Sequence, residues 1–586
     1  MTMKTGTSRC KSTVWLLVPL VAAGMAFGKD GERRLSLEEF RDKMQGAWVG
    51  QMAGVAWGQP TEFKFVDRIM PAEAVPTWEA NFHDLYSYGN DDLFVEMTFL
   101  KTLEDYGLDV SSRQAGIDFA NTEHSLWCAN LQGRTNLRKG IAPPDSSHPH
   151  YTDFGNAIDY QIEADYSGII APGLPQEAIR LGNVFGRLMN WGDGVWAGEF
   201  IGALYAEAYF TDDVDRLLDE GLKAIPAECD YAQMVRNVRA WHRESPGCWS
   251  NAWQKICTNY NKKALRDSIG GADVRLNGAC IVLGLLYGGG DFEKSAEISM
   301  RCGWDSDCNP SNVGGILGCA HGLKGIPEKF KSTVNLHTKF LGSDYDLAEV
   351  YRVSEKLARD VVARYGGRVE RDESGRETFV VSVSEPVPDA YLPTWNAGPV
   401  AGTKYSPEEM KKIRFAAKLP VASELYDKDP TRHVQNALDA LYPGWKAMPC
   451  GRDRQPGYVE ALHFPRGVID YGYVRTHPTK YRGTEPTGFV RDVACVPEGD
   501  PRLEVTVAVV KNRPIRVALR VNGETAREET VTWSEKDETG SRKLTFLLDR
   551  WAGKPAKLEL LHLPGGTVDE SVCWGHLELK SNNGSF

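Results

Sequence analysis

The hydrophobic pattern changes period once, near Tyr365, and that change divides the chain. From Leu35 to about Tyr365 apolar residues return at helical intervals. In "SLEEFRDKMQGAWVGQMAGVAWG", Phe40, Met44, Trp48 and Met52 share one face, and Ser36 stands three residues before Glu39, a capping-box spacing. "DDLFVEMTFLKTLEDYG" reads as a second amphipathic helix closed by Gly107. Gly and Ala recur inside these and later helices, which predicts close helix packing in an all-α unit. Only Arg134 to Pro175 reads as irregular, and its histidines and aromatics suggest an ordered site wall. After Tyr365, "GGRVERDESGRETFVVSVSE" predicts a hairpin and "EPVPDAYLPTW" a Pro-rich link. From about Ala440 short segments such as "RLEVTVAVV" and "IRVALRVNGE" alternate in strand fashion, which predicts a β-sandwich. The expected division is therefore 35–365 helical, 366–439 hairpin and link, and 440–586 sandwich.

Lys4, Arg9 and Lys11 precede the apolar run Val14 to Gly28, which is too short and too broken by Pro and Gly for a good membrane span. Residues 1–28 thus read as a secretory signal peptide, and a secreted or periplasmic address is expected. No later run is long enough to span, so no integral membrane segment is expected after cleavage. A net charge of −11 gives no reason to expect a nucleic-acid partner. Cleavage would remove Cys10 and leave eleven cysteines, an odd number whose spacings match no zinc pattern.

Acidic residues are paired at two predicted helix starts. "GWDSDCNPSNVGGILG" places Asp305 and Asp307 before one helix, and "YGNDDLFVEM" places Asp91 and Asp92 behind Asn90, a good N-cap. Acids at these positions also serve the helix dipole, which is explanation enough for each pair alone. If both starts face one cleft, however, four carboxylates converge and need a hard divalent cation. A third stretch, "GVAWGQPTEF", ends its helix with Glu62 on a Gly/Pro turn.

Together these three stretches resemble the ADP-ribosylglycohydrolase family, over roughly residues 35 to 345. The family's Gly-Asp-x-x-Gly-x-Pro-x-Glu is matched at Gly54, Gly58, Pro60 and Glu62, with Val55 in place of the Asp. Its Thr-Asp-Asp-Thr reads Asn90-Asp91-Asp92-Leu93 here, and its Asp-Thr-Asp-Thr reads Asp305-Ser306-Asp307-Cys308. The resemblance implies an all-α domain whose acids Asp91, Asp92, Asp305 and Asp307 bind Mg²⁺ (or Mn²⁺). It implies Glu62 and Asp92 in catalysis, with Glu62 activating water or helping to hold the metal. Loss of the hydroxyls at Leu93 and Cys308 leaves one ion or two open. The nearest analogue of the family's ADP-ribose-gripping segment is "NWGDGVWAG", which offers Trp191, Asp193 and Trp196 beside Asn90 as substrate-binding candidates. Asp193 would either cap the helix from Gly194 or repel a diphosphate. The C-terminal strands resemble carbohydrate-associated modules of glycan-degrading enzymes, or a plain support. The expected function is hydrolysis of a glycosidic bond in a small-molecule glycoside or glycan. The alternatives are an ADP-ribosyl hydrolase proper and a non-catalytic glycan-binding protein.

Overall fold

The computed structural model describes residues 31–586, apart from 262–264, 266, 417–428, 452–455, 464–468, 478–484, 510–513, 533–540, 565–570 and 583. The leader read at 1–28 lies outside the described residues. Helix α1 (Leu37–Gly58) starts where the sequence places it, with the Ser36 hydroxyl accepting from the Glu39 amide at 3.2 Å. Phe40, Met44, Trp48 and Met52 are all buried. The opposite side carries the closer contact. Gly46, Gly50, Gly54 and Gly58 recur every fourth residue and lie against the helix Cys308–Gly325, running antiparallel to it. A Cβ at Gly50 would sit 2.2 Å from the Gly314 carbonyl oxygen, and one at Gly54 would sit 2.1 Å from that of Pro310. Backbone meets backbone along this whole seam. Its end brings Gly58 against Ser306, so the chain leaving α1 starts beside the acids of the partner helix.

Helix α2 (Asp91–Tyr106) is capped by Asn90 and closed by Gly107 at φ 77°. The stretch read as irregular holds short helices at Asp159–Ile162 and Asp165–Ile169, each with too few turns to show a period. The hairpin forms at Arg368–Arg371 and Glu377–Ser382. It gains a third strand, Glu32–Ser36, paired antiparallel to Glu377–Ser382. Phe379 packs edge-on to Phe40 with ring centroids 5.1 Å apart, fixing this sheet to α1. The Pro-rich link lies on the helical unit. Tyr391 stacks on Trp196 at 5.6 Å, Asn183 donates to Asp389 at 2.8 Å, and Thr403 donates its amide to Asp145 at 2.7 Å.

The C-terminal part forms two antiparallel sheets around one core. In the first, Ile515–Val521 and Thr487–Val493 flank Ala556–Leu563. In the second, Arg502–Val509 lies between Ser541–Leu547 and Val572–Ser581. Leu519 and Leu560 from one sheet meet Val505, Val507 and Trp574 from the other. The alternation in sequence follows directly: every second side chain points into this shared core. The helix Pro430–Leu441 adds Val434, Ala437 and Leu438 to it.

Candidate active site

The seam between α1 and the Cys308 helix positions the first half of the site. Beyond Gly58 the chain turns through Gln59–Thr61, and Thr61 Oγ1 lies 2.8 Å from Ser306 Oγ. The Phe63 amide donates to the Trp304 carbonyl at 2.8 Å, and the Trp304 amide donates to that of Phe65 at 3.2 Å. Gly303 makes this approach possible, at φ 85° with the Phe65 oxygen 2.0 Å from where a Cβ would stand. Glu62 is thereby held opposite Asp305 and Asp307.

Asn90 supplies the link to the second half. Its Oδ1 accepts from the Asp92 amide at 2.9 Å, as an N-cap should. Its Nδ2 donates to Asp307 Oδ2 at 3.0 Å and to Gln59 Oε1 at 2.7 Å, and Gln59 in turn donates to Glu62 Oε2 at 2.6 Å. One chain of hydrogen bonds therefore joins all three stretches picked out from the sequence. Gln59, Glu62, Asn90, Asp91, Asp305 and Cys308 line a single pocket, with Asp92 and Asp307 buried behind it.

The electrostatics are those of crowded acids. Burial, then Asp307, raises Asp91 to about 7. Burial, Asp307 and Asp91 drive Asp92 well above the usual carboxylate range. Burial and Asp307 do the same to Asp305. Glu62 is solvent-exposed at the rim, yet desolvation by the surrounding protein, then Asp307 and Asp91, push it up to about 8. Among the described residues, both Asp92 carboxylate oxygens and Asp305 Oδ1 are buried without a hydrogen-bond partner. Oxygen acceptors left bare in this way fit a divalent cation better than a set of protons, because a cation satisfies several at once.

Three candidates lie elsewhere. Asp193 opens the helix Asp193–Ala208 and is buried, with its Oδ1 accepting the Tyr231 amide at 2.9 Å and its Oδ2 3.8 Å from the Arg275 guanidinium. It therefore serves the first turn of the helix Asp230–Glu244 and does not cap its own helix. Burial outweighs the pull of Arg275 and lifts its pKa to about 7. Trp191 is 5% exposed, with its ring edge-on to His148, and Trp196 is 1% exposed beneath Tyr391. Neither indole offers a free face, and none of the three lines the acidic pocket. The run 190–198 packs at the start of the helix Asp193–Ala208, apart from the acidic pocket.

The aromatic surface of the pocket comes from residues the sequence reading passed over. Phe63 and Trp127 line it and are 42% and 56% exposed. Phe63 is held at φ 49° by its bond to Trp304, which turns its ring beside Gly271. Asp159 also lines the pocket, from within the stretch expected to form a wall. Its Oδ1 accepts from the Asn130 amide at 2.8 Å, and burial raises its pKa to about 6. An exposed aromatic next to a motif acid was the available signal for Phe63. Trp127 had none, and Asp159 only its place in the stretch expected to form a wall, since both reach the pocket through tertiary packing.

An all-α unit with paired acids at two helix starts and a glutamate after a Gly-x-Pro turn defines the class. The family model for ADP-ribosylglycohydrolases matches residues 36–368, more than half of the chain. The chain belongs to the ADP-ribosylglycohydrolase family. Among solved structures it is similar to an ADP-ribosylglycohydrolase-related protein complex, at 16% identity and a TM-score of 0.39, covering 56% of this chain and all of that one. An apo-form cyclase from Fischerella sp. matches at 16% identity and a TM-score of 0.18, over 24% of this chain and 83% of that one. Tandem carbohydrate-binding modules of a family 98 glycoside hydrolase from Streptococcus pneumoniae match at 11% identity and a TM-score of 0.14, over 23% of this chain and 42% of that one. No curated protein sequence matches significantly.

Proposed function

We propose that this pocket hydrolyses a glycosidic bond with the help of a divalent cation, and that its substrate is a neutral glycoside or glycan. One observation carries the reading: carboxylates from four separate stretches, Glu62, Asp91, Asp159 and Asp305, converge on a pocket whose lining, among the described residues, holds no Lys or Arg. A diphosphate would meet like charge from each ionised acid that the cation leaves uncovered, on the order of 4 kcal/mol per pair at about 4 Å and an effective dielectric near 20. A neutral sugar meets none of this. Its apolar face can lie on Trp127 or Phe63, and its hydroxyls can donate to the acids.

Asp91, Asp92, Asp305 and Asp307 would hold the cation, and oxygen donors of this kind suit Mg²⁺ or Mn²⁺, one ion or two. When bound, the cation orients sugar hydroxyls and water and offsets the charge of the acids. Glu62 stands at the rim, where it can take a proton from the attacking water. The water oxygen bonds to the anomeric carbon, the bond to the leaving oxygen breaks, and that oxygen receives the proton that Glu62 took from the water. Gln59 fixes the Glu62 carboxylate by its 2.6 Å bond, and Asn90 keeps Asp307 in register with both. We further propose a secreted or periplasmic address, on the strength of residues 1–28. Within the described residues no helix is long and apolar enough to cross a membrane.

The test is a comparison of kcat/KM across a panel of neutral glycosides and ADP-ribosyl compounds, with Mg²⁺ or Mn²⁺ supplied. The expected result is a higher value for a neutral glycoside, falling when Trp127 is replaced by Ala. Preference for ADP-ribosyl-arginine or an ADP-ribose ester would sink the neutral-substrate reading. Tight glycan binding without turnover would favour a binding protein.

A further inference from the structure

The acids do not stand alone at the start of the Cys308 helix. Cys308 Sγ lies 3.7 Å from Asp307 Oδ1, and one ligand atom from each of Asp305, Asp307 and Cys308 fits within 4.8 Å of the others. All three side chains are buried, and Cys308 reaches the same pocket as Glu62. A sulfur and an oxygen bound to one tetrahedral cation, at about 2.3 and 2.0 Å, lie roughly 3.5 Å apart. The observed separation, at which the Cys308 thiol donates a hydrogen bond to Asp307, lies within about 0.2 Å of that for two ligands sharing one ion. Asp305 Oδ1, buried and without a hydrogen-bond partner among the described residues, is an acceptor that such an ion would satisfy.

Ligand chemistry then decides the ion. Mg²⁺ demands oxygen donors, whereas a thiolate draws borderline and soft cations. The geometry points to a thiophilic divalent cation of the zinc type at the corner formed by Asp305, Asp307 and Cys308, held in preference to Mg²⁺, with Cys308 Sγ as a direct ligand. The thiol proton leaves to solvent as the metal–sulfur bond forms. This rests on the reading of the pocket as a metal centre, and concerns which ion occupies one position of it.

Cobalt(II) reports the ligand set, because a cobalt–thiolate bond adds a sulfur-to-metal charge-transfer band in the near ultraviolet. Full-length protein, stripped with chelator, is titrated with Co²⁺, then with Zn²⁺ and Mg²⁺ as competitors. The expected band rises with saturation, disappears in Cys308→Ser, and is displaced by Zn²⁺ at far lower concentration than by Mg²⁺. The affinity lost for Zn²⁺ in that variant is about tenfold or more, the scale on which even outer-shell changes act. Should Cys308→Ser fail to fold, Cys308→Thr is the second variant. A variant-free readout is alkylation of Cys308 in the native protein, which Zn²⁺ blocks and Mg²⁺ leaves unchanged. Saturable Co²⁺ binding without the band, or a band that survives in Cys308→Ser, overturns the thiolate ligand while leaving an oxygen-bound metal centre standing. If the wild type takes up neither Co²⁺ nor Mg²⁺, the metal reading itself is wrong.

Discussion

Glu62 and Asp307 sit in one hydrogen-bonded chain, yet their positions separate their roles. Glu62 is at the rim and, among the described residues, hydrogen-bonds to Gln59, whereas Asp307 is buried among the acids and bonded to Asn90. Glu62→Gln should therefore lower kcat by about 10²- to 10⁴-fold, the range for a positioned acid or base, with little change in cation affinity. Asp307→Asn should weaken cation binding itself, seen by calorimetric titration. Identical isotherms for Asp307→Asn and wild type would remove Asp307 from the ligand set. Asn90 was readable from sequence because an N-cap has a local signature, and the acids behind it inherited that clarity. Asp193 shares the same local appearance at a helix start, but its role depends on Arg275 and Tyr231, 82 and 38 residues away. Nothing short-range distinguishes the two cases.

Among the elements, the glycine seam decides whether the acids meet at all. Gly50 has no room for a methyl group, and the atom in the way is a backbone oxygen that cannot swing aside. Gly50→Ala should destabilise the helical unit by about 1–3 kcal/mol or more through overpacking, and shift Asp305 and Asp307 away from Glu62. Gly247→Ala, where nothing lies within 4 Å, serves as the control and should be near neutral. Unfolding midpoints and cation affinity measured on both variants check this, and equal midpoints would contradict the tight seam. The sequence showed that glycines were frequent and that close packing follows. It did not show which pair of helices would meet, since a four-residue spacing on α1 names no partner. The β region was more legible, because strand alternation reflects burial in a core that neighbouring strands supply.

For the molecule as a whole, His433 joins the energetics of the two parts. It lies on the helix packed into the sheet core, and burial, with Lys139 of the helical unit adding to it, pushes its pKa down to about 3. Below the unfolded value near 6.5, the unfolded chain binds a proton that the folded chain refuses. Stability from this group is thus complete above about pH 6.5 and falls as pH drops toward 3. The slope approaches about 1.4 kcal/mol per pH unit, set by one proton. Chemical denaturation at pH 6.5 and 4.5 should show a smaller acid loss in His433→Gln than in wild type. Parallel losses would show that His433 stays neutral in neither state preferentially.

The strand Glu32–Ser36 carries a consequence for time. Its partner, Glu377–Ser382, is made roughly 350 residues later, an interval of roughly 20–70 s at bacterial or eukaryotic translation speeds. Throughout that interval the first segment of the chain is an open edge with nothing to pair with, and the Phe40 face of α1 lacks its Phe379 cover. The helical unit must wait for its own tail before it can finish. Ribosome-stalled chains ending at residue 366 should be cut by protease near residues 32–44, and chains extended past residue 416 should be protected there. A chain that must remain unfinished for so long is also one that a holding chaperone or an export channel can still handle as an open thread.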